Sequence, residues 1–197
     1  MSESIHINNY IPIPPIFYPE GSDKPFCNCK VCGKELMESG EPYLIEKAYG
    51  QDLEKEKRQV IFEFVYCFDC VQEVHETLSV ESRVKIAEYM KQNTNLEQRD
   101  AELKKHELFD VDIWLHNCVV KNQSIDEVKE FQIYALCQGG DLLFHQAPYM
   151  ICGDAVDEIA GLLSNKSLDI LNDLMTDLID LPPEFSELFK TRHPILI

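Results

Sequence analysis

Positive charge is scarce in this chain. Its 197 residues contain 18 Lys and Arg against 35 Asp and Glu, which gives a formal net charge of −17 at pH 7. A nucleic-acid-binding surface has to neutralise phosphates with basic side chains, so this balance disfavours a nucleic-acid partner. The apolar content of 45% is enough for a packed core, so we expect a folded domain and not a disordered chain.

Long apolar runs are also missing. No stretch approaches the roughly 18 apolar residues that a membrane-spanning helix needs. The opening residues, MSESIHINNY, lack the basic stretch and apolar core of a secretory signal. We therefore expect no membrane association and a cytoplasmic location.

The sequence motifs of the common enzyme classes are absent as well. The chain has no Gly-x-Gly-x-x-Gly, no Walker loop, no Gly-x-Ser-x-Gly and no His-Glu-x-x-His. His106, His116 and His193 have no carboxylate or cysteine partner at a motif spacing. We therefore predict no catalytic residues.

Cysteine, in contrast, is abundant and paired. The stretches CNCKVCGKEL at 27–36 and YCFDCVQEV at 66–74 each contain a Cys-x-x-Cys pair. In a cytosolic chain such pairs bind metal more often than they form disulfides. Zn²⁺ prefers four thiolate or imidazole ligands in a tetrahedron, so we predict one structural zinc. Its predicted ligands are Cys29, Cys32, Cys67 and Cys70.

The residues around the two pairs predict how each is held. Gly33 suits the positive φ needed just after a tight cysteine loop, or knuckle. The segments EPYLIEKAYG and RQVIFEFVY are rich in β-branched and aromatic residues, which predicts an antiparallel hairpin between the pairs. The second pair leads into VQEVHETL, whose apolar spacing is helical. A helix N-terminus favours thiolate over thiol at Cys67 and Cys70.

This order of knuckle, hairpin and helix resembles the treble-clef zinc fingers over about residues 27–78. The resemblance implies the same four cysteine ligands, and Cys27 and His75 are possible substitutes. A rubredoxin-like iron site would have a glycine after its second pair, where Val71 stands here. A thioredoxin-like redox site would need only one of the two pairs.

The chain also resembles itself. A shift of 85 residues aligns 67–90 with 152–175, with eight identities that include Cys67 with Cys152 and Ser79 with Ser164. A shift of 89 aligns CKVCGKEL at 29–36 with CVVKNQSI at 118–125. The same shift places Gly50 on Gly139, which predicts a hairpin tip at each. The sequence therefore predicts an α+β fold of two tandem treble-clef-like units, each with a knuckle, a β-hairpin and helices.

Only the first unit keeps a full ligand set. In the second, Cys118 and Cys152 remain, whereas Lys121 and Ala155 stand at the positions of Cys32 and Cys70. Two thiols cannot close a structural zinc tetrahedron. We therefore predict that the second unit is a degenerate, metal-free copy.

These patterns predict five segments. They are a proline-rich extended N-terminal arm (1–26), a zinc-binding treble-clef-like unit (27–95), a linking helix (96–115), a degenerate repeat of the first unit (116–181) and a C-terminal segment (182–197).

A row of carboxylates marks one predicted helix. In SLDILNDLMTDLIDL, Asp169, Asp173 and Asp177 recur at i, i+4 spacing on the side opposite the leucines. Such a row is either a solvated face or a docking surface for a basic partner protein. We favour a non-catalytic, zinc-stabilised protein-interaction or scaffold protein. The alternatives are an enzyme with an unrecognised site between the two units and a nucleic-acid-binding zinc finger protein, which the net charge disfavours.

Overall fold

The computed structural model describes residues 9–55 and 57–178, with 175–178 described by their helical backbone alone. The first eight residues of the predicted arm, the predicted segment 182–197 and the side chain of Asp177 lie outside the described residues.

Runs of strands are followed by runs of helices along the described part of the chain. The strands are β1 (Tyr10–Pro12), β2 (Pro42–Asp52), β3 (Lys57–Cys67), β4 (Glu130–Gln138), β5 (Asp141–Leu143) and β6 (Tyr149–Cys152). The helices are α1 (Phe68–Thr77), α2 (Val80–Asn93), α3 (Leu96–Lys105), α4 (Val111–Leu115), α5 (Gly153–Ala160) and α6 (Asn165–Leu178). Among the described residues, no helix combines the length and the apolar character that a bilayer crossing demands.

All the strands belong to one antiparallel sheet. Its order is β1-β5-β4-β2-β3, and β6 pairs with β4 beyond the short β5. β2 is central, because it pairs with β3 across the predicted hairpin and with β4 on its other edge. The predicted mixture of helices with antiparallel strands is therefore confirmed.

The N-terminal segment covers one face of this sheet. The Phe17 ring is fully buried. The Ile16 carbonyl accepts a hydrogen bond from the Tyr49 hydroxyl (3.2 Å), and the Tyr18 carbonyl accepts one from Lys47 Nζ (2.5 Å). Alternate residues of a strand point to the same face, so these two bonds fasten the segment to one side of β2.

Helix α1 packs on the opposite face of the sheet and also contacts α6. Val71 of α1 contacts the cluster that contains Phe64 and Tyr66 of β3. Leu171 of α6 packs with Val74 and Leu78 at the C-terminal end of α1. The last described helix is thus held against the first.

The predicted linking helix, 96–115, is two helices. The Asn95 side chain caps α3 by accepting the Gln98 N–H. After the end of α3 at Lys105, Glu107 takes a positive φ of 53°, and Asp110 then caps α4 by accepting the Asp112 N–H. The left-handed residue prevents α3 from continuing, and the aspartate begins a separate helix.

The prediction that Gly50 forms the tip of the first hairpin is wrong. Gly139 does lie in the turn between β4 and β5, with φ 54°, but Gly50 lies inside β2, which continues to Asp52. In the sheet Tyr43 pairs with Cys67, and Phe131 pairs with Cys152. If Cys67 corresponds to Cys152, Tyr43 therefore corresponds to Phe131. The first strands of the two predicted hairpins, β2 and β4, thus correspond at an offset of 88 residues and not 89.

A cluster of four serines joins the starts of α2 and α6. Ser79 caps α2 by accepting the Ser82 N–H (3.1 Å), and Ser164 accepts the Ser167 N–H (3.3 Å) in the same way. The two caps also exchange bonds, from Ser79 N to Ser167 Oγ (3.0 Å) and from Ser164 N to Ser82 Oγ (2.9 Å). Ser82 and Ser167 are fully buried, so each hydroxyl satisfies a backbone donor that water does not reach.

We expect Ser167→Ala to lower the free energy of unfolding by about 1–3 kcal/mol, because it leaves the Ser79 N–H without its acceptor. Chemical denaturation measures the change. Val80→Ala, at an exposed position beside the same cap, is the matched control and should change stability by less than about 0.5 kcal/mol. Equal effects of the two substitutions would show that the serine bond contributes nothing.

Candidate metal centre

Four cysteine sulfurs meet where β3 runs into α1. Cys29 and Cys32 come from the loop 27–36, Cys67 ends β3, and Cys70 lies in the first turn of α1. All four sulfurs lie within 4.8 Å of one another, and those of Cys32 and Cys67 are 3.7 Å apart. In a tetrahedron with Zn–S bonds of about 2.3 Å, neighbouring sulfurs are about 3.8 Å apart. The cluster could therefore hold a metal ion, and zinc fits its size and donor set.

Backbone hydrogen bonds shape the loop 27–36. The Cys29 N–H donates to the Lys34 carbonyl (2.8 Å), and the Gly33 N–H donates back to the Cys29 carbonyl (2.9 Å). Gly33 takes a φ of 75°, as predicted, which a residue with a Cβ adopts only at a cost. The Lys30 N–H donates to Val65 of β3 (2.9 Å), so the loop is fastened to the strand that carries Cys67.

The same geometry favours negative charge on one sulfur. Burial opposes ionisation of Cys29, but hydrogen bonds from the backbone N–H groups of Cys32, Cys67 and Val31 outweigh it and lower its pKa to about 7. Burial raises the pKa of Cys67 and of Cys70. A bound divalent ion would lower the pKa of all the ligating cysteines, because coordination stabilises the thiolate directly.

The cluster has the character of a structural site. Cys29, Cys67 and Cys70 are buried, and Cys32 alone is exposed. Four thiolates complete the tetrahedral coordination of Zn²⁺ and leave no position for a water or a substrate. A metal here would tie the loop, the strand and the helix together.

The two possible substitute ligands lie outside the cluster. Among the described residues, the potential metal-binding group consists of the four paired cysteines alone. Cys27 is exposed, and its sulfur contacts the Pro25 carbonyl (3.6 Å). His75 lies in the last turn of α1, whereas Cys70 lies in the first.

The loop 116–125 repeats the hydrogen bonds of the loop 27–36. The Cys118 N–H donates to Gln123 (2.8 Å), and the Asn122 N–H donates to Cys118 (2.8 Å) with Asn122 at a φ of 56°. The Val119 N–H donates to Met150 of β6 (3.0 Å). The Cys152 N–H donates to the Cys118 sulfur at 3.3 Å, the same distance as from Cys67 N to the Cys29 sulfur.

The positions that correspond to Cys32 and Cys70 carry no sulfur, because Lys121 and Ala155 stand there. The Lys121 ammonium turns away to Glu158, with Nζ 2.5 Å from Oε1, and the Tyr89 hydroxyl donates to the same carboxylate. Ala155 is fully buried beside Cys152. Of the four positions that correspond to the metal cluster, only Cys118 and Cys152 therefore offer a sulfur.

A cleft that sequence motifs did not predict lies beside Cys118. It encloses about 710 Å³ and is lined by residues that include Arg99, Trp114, His116 and Cys118. The Arg99 guanidinium stacks on the Trp114 ring (4.7 Å) and donates to the carbonyls of Trp114 and Pro148. The residues that line the cleft come from α3, α4 and the loop 116–125. No single stretch of sequence therefore predicts the cleft.

Comparison with known proteins finds no match for this chain among protein-family models, curated proteins or solved structures.

We expect Cys32→Ala to abolish stoichiometric metal binding and to lower the thermal midpoint, because an ion held by three thiolates loses much of its contribution to folding. Cys32 is exposed, so its truncation leaves no cavity that could cause the same loss. Metal content per chain and thermal unfolding with and without a chelator are the measurements. Cys27→Ala, an exposed cysteine of the same loop, should behave as wild type, and metal loss from that variant would refute the assignment.

Proposed function

We propose that this chain is a non-catalytic interaction or scaffold protein stabilised by one structural Zn²⁺ on Cys29, Cys32, Cys67 and Cys70. The observation that carries the proposal is the closed set of four sulfurs, all within 4.8 Å of one another. Because such a set satisfies the metal completely, zinc acts on the fold and not on a substrate. A reducing, cytoplasmic setting belongs to the proposal, since free thiols bind metal there without competing disulfides.

The zinc-binding segment, residues 27–95, is a treble-clef-like unit, and residues 116–181 are a degenerate copy of it. The support is the recurrence of hydrogen bonds at corresponding positions: within the two cysteine loops, from each loop to its strand, and from Cys67 and Cys152 to the facing sulfur. The paired serine caps of α2 and α6 add a second set. Accidental similarity of sequence would not require this agreement in bonding.

The interaction surface is the acidic side of α6. Asp169 and Asp173 are exposed, whereas Leu171 between them is buried against α1. The helix thus turns its carboxylates outward, on a chain with a net charge of −17. Such a surface favours a basic partner protein, because complementary charge accelerates encounter and suppresses wrong partners.

We expect elemental analysis of the purified, metal-replete protein to find one zinc per chain. Tetrahedral thiolate sites accept both zinc and iron, so the identity of the metal is the decisive readout. Stoichiometric iron, or a folded protein with no metal, would contradict the structural-zinc proposal.

We expect reversal of Asp169, Asp173 and Asp177 to lysine to weaken partner binding by about tenfold or more, with the loss growing at low ionic strength. Partners are recovered from the native cell by crosslinking, and affinity is then measured with the purified partner across a salt series. The control reverses Glu54, Glu73 and Glu88, which are exposed elsewhere and give the same change in net charge. Equal losses from both sets would mean that overall charge, and not this surface, governs binding.

The cleft beside Cys118 favours a second candidate, an enzyme or small-molecule site, because His116 and Asp112 both line it. Asp154 lies elsewhere, at a cavity of about 360 Å³ that Cys152 also lines. An activity that survives purification and is lost in His116→Ala, with folding unchanged, would favour this candidate over the scaffold.

A further inference from the structure

Cys118 and Cys152 form a close pair of thiols outside the metal cluster. Both are almost fully buried, with 2% and 1% of their surface exposed. The Cys152 N–H donates to the Cys118 sulfur (3.3 Å). The Cys118 sulfur therefore lies directly beside the residue that carries the second thiol.

The surroundings of Cys118 favour its thiolate. The Lys121 N–H is a further donor to its sulfur (3.3 Å). The hydrogen bond from the Cys152 thiol lowers the pKa of Cys118, burial raises it, and the backbone N–H groups of Cys152, Lys121 and Val120 bring it to about 6. A thiolate beside a residue that carries a thiol is the arrangement from which disulfides form, since the thiolate is the nucleophile.

Cavities border both residues despite their burial. Cys118 lies on the wall of the cleft of about 710 Å³, and Cys152 lines the separate cavity of about 360 Å³. A molecule the size of hydrogen peroxide fits either space.

We propose that Cys118 and Cys152 are an oxidisable dithiol, which small hydroperoxides convert into an intramolecular disulfide. The Cys118 thiolate attacks one peroxide oxygen, breaks the O–O bond and becomes a sulfenic acid, while the other oxygen leaves as hydroxide. The Cys152 sulfur then displaces the sulfenic hydroxyl, which takes the Cys152 proton and leaves as water. Two electrons pass from the sulfurs to the peroxide, and a thiol reductant reverses the change.

The disulfide between Cys118 and Cys152 would have the structural role that a metal would have at the four-cysteine cluster. It would join the loop 116–125 to the junction of β6 and α5, as a metal joins the loop 27–36 to the junction of β3 and α1. A metal ion suits the pair less well, because Lys121 is engaged with Glu158 and Ala155 offers no donor. A covalent bridge needs only the two sulfurs that remain.

The test is mass mapping of the full-length, metal-loaded protein after treatment with one equivalent of hydrogen peroxide and alkylation of the remaining thiols. Digestion with trypsin and an Asp-specific protease separates the relevant cysteines, because Asp141 lies between Cys137 and Cys152. We expect a peptide pair joined through Cys118 and Cys152, lost on reduction. Cys118→Ser and Cys152→Ser should abolish it, whereas Cys137→Ser, which alters another buried cysteine, should leave it unchanged.

Three outcomes would overturn the proposal: alkylation of both Cys118 and Cys152 after peroxide treatment, a Cys118 sulfinic acid beside a free Cys152, or a bridge from either residue to a different cysteine. The wild-type map alone distinguishes these results, so the proposal remains testable if a serine variant does not fold. None of them depends on the metal or on the partner of α6.

Discussion

A hydrogen bond from a backbone N–H to a cysteine sulfur organises each half of this molecule. It runs from Cys67 to Cys29 in one half and from Cys152 to Cys118 in the other, at 3.3 Å in both. Each bond connects a loop to the residue where a strand becomes a helix. Since a sulfur accepts hydrogen bonds more strongly as a thiolate, the fold itself favours negative charge at these two buried points.

The two halves compensate that charge differently. Around Cys29 three more sulfurs gather, and a divalent cation is the natural counter-charge for such a set. Around Cys118 the compensation is local, from backbone donors and the thiol of Cys152, and the nearby ammonium of Lys121 is engaged by Glu158. Either arrangement would hold its cysteine loop in place. Only the arrangement around Cys118, which needs no metal, leaves its two sulfurs free to react with each other.

Sequence predicts the features that depend on local chemistry. The four cysteines and the positive φ of Gly33 each follow from what a residue can do within a few positions. Strand register does not, because a change of one residue costs nothing locally and is decided by cross-strand packing. Strand length does not either: β2 continues to Asp52, beyond the position that corresponds to Gly139, and that is why Gly50 is placed wrongly. The cleft beside Cys118 has no sequence signal for a related reason, since three separated segments meet only in the folded chain.

The metal cluster and the acidic surface are connected through the core. Cys70 fixes the first turn of α1, and the other end of that helix packs, through Val74 and Leu78, against Leu171 of α6. The serine caps hold α6 to α2, and β2 pairs with strands of both halves. A change at the four sulfurs would therefore alter the support of a helix whose carboxylates face solvent on its opposite side. Under the proposed function, a structural metal would contribute to recognition without touching a partner, because it would fix the helix that presents the charge.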